Sequence, residues 1–327
     1  MSDSLSKSST NRSVVLLAGG VGGAKMAEGL AGLGNVDLTV IGNVADDDEF
    51  HGLWVSPDID TLTYSLSGRI NRQQGWGVAD EALRGLSVLK ELGEETWMTL
   101  GDRDLGLHIY RSSRLRKGHA RQAIADDISR AFGACCRIVL STEDVVQTRV
   151  KTEAGWMSFQ EYFVREHCAP EVLELSYRGL DVAAPNPAAL DAIANADVIV
   201  IAPSNPLVSI EPILSIAGMR TAIAGAKAAR IAVCPFVNGK AIKGPADRMM
   251  VSLGFEATVG AVARRYAGIA DTLLINTSDR AFCGDVKSAG LCAVACNIVM
   301  TSLEDKVALA RTVLATALSS EACGVVP

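Results

Sequence analysis

The chain has 327 residues, a net charge of −6, 49 % hydrophobic residues and 21 % charged residues. This composition is typical of a globular protein with one large domain or two small ones. The negative charge and the lack of a long Lys/Arg run argue against a nucleic-acid partner, and no apolar stretch reaches the roughly 18 residues that span a membrane.

The first twelve residues are polar and rich in serine, and no apolar segment with a cleavage site follows them, as it would in a signal peptide. We therefore predict a disordered tail over 1–12 and a single cytoplasmic domain over 13–327. The eight cysteines include no CxxC pair, and several lie in apolar runs. This pattern predicts buried, reduced thiols.

The next elements predict a β-α-β unit. Ser13–Gly20 is an apolar run typical of a buried parallel strand, Ala24–Leu33 has helical spacing, and Asp37–Val44 indicates a second strand. We therefore expect a doubly wound, Rossmann-like α/β fold with a mostly parallel sheet. In such folds, ligands bind at the carboxyl ends of the strands.

The segment AGGVGGAK, Ala18 to Lys25, connects the first strand to the first helix, and we call it the glycine loop. Glycines allow the backbone to approach a phosphate, and a helix start directs free N–H groups to the same point. The segment matches neither GxGxxG nor a Walker A loop. It therefore predicts either a phosphate cradle of another type or only a tight turn.

The segment Asn43–Thr61 is strongly acidic. Its six carboxylates are Asp46, Asp47, Asp48, Glu49, Asp58 and Asp60. In an extended chain the side chains of Asp58 and Asp60 would face the same way, and such oxygen ligands suit Mg²⁺ or Mn²⁺. A cation would also relieve the repulsion between them. The alternative is a solvated, helix-capping loop, which we favour for Asp46 and Glu49.

Residues of about 100–185 break the β-α alternation, and we interpret them as an inserted α/β subdomain. The segment begins with Leu100–His108, for which we expect a strand end and a loop, and Thr148–Val164 predicts a β-hairpin. Arg103, flanked by two aspartates, suits a phosphate or carboxylate clamp. A surface ion-pair cluster is the alternative. Earlier in the chain, Trp76 would offer a flat face to an aromatic substrate or simply anchor its loop.

The alternation then resumes. Ala196–Pro206 predicts a strand that ends in a polar loop, and Pro212–Ala226 predicts a helix. Cys234–Ala246 predicts a strand end and a loop with lysines that could hold an anion, and Cys296–Met300 predicts a later strand. Such loops place fixed polar groups at the edge of the sheet.

Five segments together resemble the 2-phospho-L-lactate transferases, the CofD/FbiA family of coenzyme F420 biosynthesis. They are AGGVGGAK, NVADDDEFHGLWVSPDIDT, LGDRDLGLH, PSNPLVSIEPIL and NGKAIKGPA, in this order. The resemblance extends from about Val14 to Thr301. Val21 departs from the family pattern, because many relatives carry Thr there.

From the cysteine pattern and the mean hydropathy of +0.23 we expect a cytoplasmic homodimer. The resemblance implies a transferase for substituted phosphate groups that requires Mg²⁺ or Mn²⁺. It would move a 2-phospholactyl, enolpyruvyl phosphate or 3-phosphoglyceryl group from a guanosine diphospho-donor to the hydroxyl of the deazaflavin Fo. The products would be F420-0, or its dehydro form, and GMP.

The resemblance also implies roles for residues. Asp58 and Asp60 would be catalytic, with Asp60 as the candidate general base. The metal ligands would be Asp58, Asp60 and Asp47. Fo would contact Asp60, Thr61, Thr99, Asp102 and Arg103. The nucleotide and its phosphates would contact Gly19, Gly20, Gly22, Gly23, Lys25, Ser204, Asn205, Ser209, Lys243 and Gly244. We expect Asp60→Asn to abolish turnover and leave folding intact.

Two other classes of function remain open. A YvcK-like regulatory protein that binds nucleotide sugars would share the glycine loop and the acidic segment, but we do not expect it to carry the GDRD sequence at 101–104. A Rossmann oxidoreductase would need GxGxxG, which this chain lacks.

Overall fold

The computed structural model describes residues 11–322, so residues 1–10 of the predicted tail lie outside the described part. The strands are β1 (Arg12–Ala18), β2 (Val36–Gly42), β3 (Asp48–Phe50), β4 (Leu53–Val55), β5 (Arg137–Leu140), β6 (Gln147–Thr152), β7 (Gly155–Ser158), β8 (Glu174–Arg178), β9 (Val198–Ile201), β10 (Ala229–Val233), β11 (Phe236–Val237), β12 (Lys240–Ala241), β13 (Thr272–Asn276) and β14 (Cys292–Cys296).

The α-helices are α1 (Gly20–Ala31), α2 (Pro57–Leu66), α3 (Arg84–Glu91), α4 (Asp102–Arg116), α5 (Arg121–Phe132), α6 (Pro187–Ala194), α7 (Glu211–Ser215), α8 (Met219–Ala224), α9 (Ala246–Ser252), α10 (Val259–Tyr266), α11 (Cys283–Ser288) and α12 (Leu303–Ala322). Two short π-helices, Glu161–Arg165 and Pro206–Ile210, and a 3₁₀ helix, Thr277–Phe282, complete the described elements.

The central sheet confirms the predicted doubly wound α/β fold. Its seven strands run in the order β14-β13-β10-β9-β1-β2-β5, and neighbouring strands pair in parallel. Every residue of β9 and β13 is buried, as expected for strands whose two faces are covered by helices. The strand order reverses between β1 and β9. The carboxyl ends of these two strands therefore form the crevice in which such folds bind ligands.

The region of about 100–185 contributes to two sheets. β5 pairs with β2 in the central sheet, whereas β6, β7 and β8 form a separate antiparallel sheet. β6 and β7 confirm the predicted hairpin. The boundaries of an inserted subdomain stay a prediction.

Several elements differ from their predicted bounds. α1 begins at Gly20 rather than at Ala24, so most of the glycine loop lies in its first turn, where Gly22 packs against the backbone of Pro203. The predicted helix over Pro212–Ala226 is two helices, α7 and α8, separated near Gly218, which has φ +83°.

Two further predictions were wrong in place or type. The strand predicted at Cys296–Met300 lies earlier, as β14. The segment around Arg103 is not a loop but the start of α4, which has two aspartates in its first turn and two arginines in its last, as favoured by the helix dipole.

The cysteines are less buried than predicted. Seven lie in the described part of the chain, and all seven are free thiols. Cys168 and Cys234 are buried, but Cys135 and Cys292 are exposed, so burial was a wrong prediction for these two. Over residues 11–322, none of the helices has the length and apolar character needed to cross a membrane.

Candidate active site

The candidate site lies where β1 ends beside the loop that follows β9. Gly19 is extended, and Gly20 has φ +61°, in the left-handed region that favours glycine. A Cβ atom on Gly19 would lie 2.5 Å from Oδ2 of Asp58, and one on Gly22 would lie 2.2 Å from the carbonyl oxygen of Pro203. Side chains at these positions would therefore push the glycine loop away from its neighbours.

The loop after β9 contacts the glycine loop directly. Ser204 Oγ donates a hydrogen bond to the carbonyl oxygen of Gly19 at 2.7 Å, and a Cβ on Gly19 would lie 2.8 Å from the Cβ of Ser209. Asn205 Oδ1 instead accepts from the N–H of Leu207 at 2.9 Å. The structure therefore brings Ser204 and Ser209 to the predicted phosphate site, while the side-chain oxygen of Asn205 is used within its own loop.

Asp58 connects α2 to the glycine loop. Its Oδ1 accepts from the N–H of Gly20 at 2.7 Å, and its Oδ2 accepts from Nδ2 of Asn43 at 2.9 Å. Asn43 Nδ2 also donates to the carbonyl oxygen of Val208 at 3.2 Å. Burial raises the pKa of Asp58 to about 6, although the hydrogen bonds from Asn43 and Gly20 oppose this shift. The Asp58 carboxyl group is thus fixed beside the start of α1.

Asp46 is a buried carboxyl group close to Asp58. Its Oδ1 has no hydrogen-bond partner among residues 11–322. Burial raises the pKa of Asp46 well above its usual range, and the nearby charges of Asp58 and Asp47 raise it further. A buried carboxylate with an unpartnered oxygen is costly as a bare anion. Asp46 therefore requires a proton or a cation beside it.

Asp47 is buried but has a cationic partner. Its Oδ2 accepts from Ser56 Oγ at 2.8 Å, from Trp54 Nε1 at 3.1 Å and from Arg121 Nη2 at 2.6 Å. Burial raises the pKa of Asp47 to about 6 in spite of the opposing charge of Arg121. Arg121 was not identified from the sequence, because it lies 74 residues after Asp47 and no local motif links the two.

Asp60 faces away from Asp58, contrary to the extended conformation expected from the sequence. Both residues lie in the first turn of α2, where side chains two positions apart point about 200° apart. Pro57 at the first helical position favours the helix start. On the opposite face, both oxygens of Asp60 accept hydrogen bonds from Arg111, and the Oδ2–Nη1 distance is 3.1 Å. This pairing does not support Asp60 as a free general base.

Arg111, on α4, is a site residue that the sequence analysis missed. It is buried together with Asp60, and its Nη1 also lies 3.1 Å from Nδ1 of His108. Because a guanidinium only donates, Nδ1 of His108 accepts and its ring proton lies on Nε2. Burial lowers the pKa of His108 to about 4, so the ring is neutral at pH 7. The spacing of His108 and Arg111 on one helix face was visible in the sequence, but their partner on α2 was not.

The three predicted metal ligands do not converge. Asp60 pairs with Arg111 and Asp47 pairs with Arg121, while Asp58 faces the glycine loop. Over the described part of the chain, no group of three or more His, Cys, Asp or Glu side chains is placed to hold a metal.

Asp46 and Asp58 are the pair that fits a hard divalent cation. Their buried oxygens include the unpartnered Oδ1 of Asp46, and both carboxyl groups have raised pKa values. Mg²⁺ typically takes one or two carboxylates and completes its shell with water and substrate phosphate oxygens. Two carboxylates beside a phosphate cradle satisfy that preference.

The predicted acceptor residues are spread along α2 and the start of α4. Arg103 is exposed, and its Nη1 donates to the carbonyl oxygen of Ala79 at 2.7 Å. Asp102 accepts from the backbone at the start of α3, Thr99 is exposed, and Thr61 is half-buried. Arg103 lies two turns, or about 12 Å, before the helix position that contacts Asp60. These residues therefore do not form one cluster.

Arg103 also lines a cavity of about 620 Å³ between α4 and α5. Its walls include the rings of Tyr64, Tyr110 and Phe132, and the rings of Tyr64 and Phe132 stack with centroids 6.1 Å apart. The guanidinium of Arg69 lies 4.6 Å from the centre of the Phe132 ring. The Tyr64 ring is buried, but the partly exposed rings of Tyr110 and Phe132, flanked by two arginines, suit a planar polar ligand.

The two predicted phosphate lysines are turned to backbone carbonyls. Lys25 Nζ donates to the carbonyl oxygen of Met300 at 2.8 Å, and Lys243 Nζ donates to that of Gln74 at 2.9 Å. Burial lowers the pKa of both lysines, and the charges of Lys306 and then Lys243 lower that of Lys25 further. Gly244, with φ +78°, forms the turn that carries Lys243. The positive charge of Lys243 close to Lys25 favours an anion beside them.

Comparison with known proteins gives one consistent family. The family model of 2-phospho-L-lactate transferase CofD matches residues 14–312. A phosphoenolpyruvate transferase of Kitasatospora aureofaciens is 40 % identical over 93 % of this chain and 97 % of its own. A 2-phospho-L-lactate transferase of Methanococcoides burtonii is 34 % identical over 89 % of this chain and 95 % of its own.

Solved structures agree at the level of the fold. A UPF0052-family protein of Bacillus halodurans superposes with a TM-score of 0.62, covering 93 % of this chain and 99 % of its own. Its sequence identity to this chain is 16 %.

We predict that Asp60→Asn destabilises the fold, which corrects the expectation of intact folding. The substitution leaves the Arg111 guanidinium buried without its counter-ion, a loss of about 3–5 kcal/mol. Equilibrium unfolding in urea measures this loss directly. The exposed Glu49→Gln is the matched control and should stay within about 0.5 kcal/mol of the wild type. Unchanged stability of Asp60→Asn would show that the pair does not anchor α2.

Proposed function

Since the chain belongs to the 2-phospho-L-lactate transferase CofD family and is an enzyme of that family, we propose the following reaction. A phospho-three-carbon-acid group moves from a guanosine diphospho-donor to the hydroxyl group of Fo, as a step of coenzyme F420 biosynthesis. The products are GMP and F420-0 or its dehydro form.

One observation carries the proposal. The glycine loop, Ser204 and Asp58 meet at the switch point of the sheet, the place between β1 and β9 where the strand order reverses. The unpartnered oxygen of Asp46 lies beside them. Backbone N–H groups at a helix start and two carboxylates together suit a diphosphate with a divalent cation. Transfer of a group from a diphospho-donor needs N–H groups that bind the diphosphate and carboxylates that hold the cation.

In the proposed reaction, the hydroxyl oxygen of Fo attacks the phosphorus that bears the three-carbon acid. The bond between this phosphorus and the bridging oxygen breaks, and GMP leaves with that oxygen. The hydroxyl proton passes to solvent, since Asp60 is engaged by Arg111. The protein mainly has to hold the two substrates in line and stabilise the charge on the phosphate oxygens.

Each group at the switch point has a role in that task. The glycine loop and the start of α1 bind the diphosphate, and Ser204 fixes the loop through its bond to Gly19. Lys25 and Lys243 add positive charge nearby. Asp46 and Asp58 would hold a Mg²⁺ ion, which when bound supplies neutralisation of the diphosphate charge.

Asp60 and Arg111 have a positioning role in this proposal. Their buried pair fixes the first turn of α2 to α4. Asp58 lies in that same turn, so the pair holds the Asp58 carboxyl group at the glycine loop. The requirement for Asp60 in turnover would then be indirect.

The cavity beside Arg103 is the proposed site for the deazaflavin ring of Fo. Tyr64, in its wall, lies six residues after Asp58 on α2, which corresponds to about 9 Å along the helix. Tyr64 is four residues after Asp60 and so lies on the Asp60 face of α2, which means that the polyol chain of Fo would pass around the helix to bring its hydroxyl to the diphosphate. The aromatic walls and Arg103 would bind the ring.

For the donor, we propose the enolpyruvyl form first. The relatives named phosphoenolpyruvate transferase reach 40 % identity, and those named 2-phospho-L-lactate transferase reach 36 %. The three candidate acids differ by a few atoms, so the donor must be decided by direct competition. A homodimer and a cytoplasmic location stay predictions.

The central test is a product assay. Purified protein with Fo, Mg²⁺ and each guanosine diphospho-donor should yield a more acidic deazaflavin and an equal amount of GMP, separated by chromatography. In the same assay, Asp58→Asn should lower kcat by about 100-fold or more, since it removes a cation ligand. Glu49→Gln should retain wild-type rates.

Two results would contradict the proposal. One is the absence of product with all three donors. The other is a rise in melting temperature with UDP-sugars without any transfer, which would support a YvcK-like binding protein.

Arg103→Gln tests the acceptor cavity. Loss of the guanidinium should raise the KM for Fo by about tenfold and leave the KM for the donor unchanged, since only acceptor binding is weakened. Arg84→Gln, at an exposed position on α3, is the matched control. An unchanged KM for Fo in Arg103→Gln would remove this cavity from the acceptor site.

A further inference from the structure

The segment 71–77 is a closed turn that presents an exposed tryptophan. The N–H of Asn71 donates to the carbonyl oxygen of Gly77 at 2.8 Å, and the N–H of Gly75 donates to that of Asn71 at 2.7 Å. Oδ1 of Asn71 accepts from two further backbone N–H groups of the turn. Trp76 lies between the two glycines, both at positive φ, and remains 48 % exposed. The turn is therefore fixed while its largest side chain stays open to solvent.

This turn is docked on α1 and on the loop of Lys243. A Cβ atom on Gly75 would lie 3.7 Å from Cγ1 of Val21 and 3.2 Å from Nζ of Lys243. Nη1 of Arg72 lies 3.3 Å from Oε1 of Glu28, further along α1. The residue next to Trp76 thus contacts the first turn of α1, where the diphosphate is proposed to bind.

Resting on the proposed function, we propose that Trp76 stacks on the purine base of the donor nucleotide. The base is separated from its diphosphate only by a ribose, so a diphosphate at the start of α1 places the base near the turn that contacts Val21. An indole offers a large flat face for such a base. Stacking on an aromatic side chain contributes affinity without reading the base edge.

The acceptor ring is the other flat heterocycle in the reaction, but the structure offers it a different wall. The cavity of Arg103, Tyr64 and Phe132 lies between α4 and α5 and includes Val78, just after this turn, whereas Gly75, next to Trp76, lies beside Val21 of α1. Lys243, beside the turn, adds a positive charge on the diphosphate side. The donor therefore fits Trp76 better than Fo does.

Calorimetric titrations with GDP, with inorganic pyrophosphate and with Fo, all in the presence of Mg²⁺, test the proposal. Trp76→Ala should weaken GDP binding roughly 5- to 100-fold and leave pyrophosphate and Fo binding unchanged. Trp76→Phe should restore most of the affinity. Trp156→Ala, at a comparably exposed tryptophan on β7, is the matched control and should bind GDP as the wild type does.

Fluorescence provides a second readout. GDP should quench the emission of the wild type and of Trp156→Phe, but not that of Trp76→Phe. Equal GDP affinity in Trp76→Ala and the wild type, or loss of Fo binding instead of GDP binding, would overturn the proposal and leave the transferase function standing. A wild type that binds neither GDP nor Fo and forms no product would overturn both.

Discussion

The burial of two neighbouring carboxyl groups, Asp46 and Asp58, is the constraint on which the site depends. Both lose hydration, and polar neighbours compensate each only in part: the N–H of Gly20 and the amide of Asn43 at Asp58, and the side chains of Thr148 and Asn43 at Asp46. The unpartnered Oδ1 of Asp46 is available to bind a cation. Close packing of the glycine loop on Asp58 follows from the same arrangement, because a side chain at position 19 would collide with the carboxyl group.

Helix α2 carries one carboxylate without a cationic partner and one with a cationic partner, on opposite faces. On one face, Asp58 points to the glycine loop and has no cationic side-chain partner in its hydrogen bonds. On the other face, Asp60 is neutralised by Arg111, which fixes the helix to α4. Neutralising one carboxylate stabilises the fold, and leaving the other without a counter-ion prepares it for function. The same helix continues to Tyr64 and the aromatic cavity, so it connects the two proposed substrate sites.

Much of this could be predicted from the sequence, for identifiable reasons. Apolar runs that end in glycine and polar loops predicted the parallel sheet. Because strand ends meet at one edge of such a sheet, Gly19, Ser204 and Ser209 were expected to lie close together, and they do. The orientation of Asp60 could not be predicted, because the acidic segment is compatible with both strand and helix and Pro57 decided for the helix. Arg111 and Arg121 were missed because their partners lie on elements that only the tertiary fold brings together. The break between α7 and α8 was visible in the sequence as Gly218, which takes a positive φ there.

Thermal unfolding with and without Mg²⁺, at pH 5 and pH 7.5, tests the central claim most directly. Burial raises the pKa of Asp58 to about 6 and that of Asp46 well above its usual range. Without metal, the stability that these protonated groups contribute is complete below about pH 4 and is lost as the pH rises through their folded pKa values. Mg²⁺ replaces the protons, so it should stabilise the protein more at pH 7.5, by about 2.7 kcal/mol at 100 times its Kd. Asp46→Asn should abolish most of this gain. An equal Mg²⁺ effect at both pH values, or one that Asp46→Asn leaves unchanged, would contradict the account.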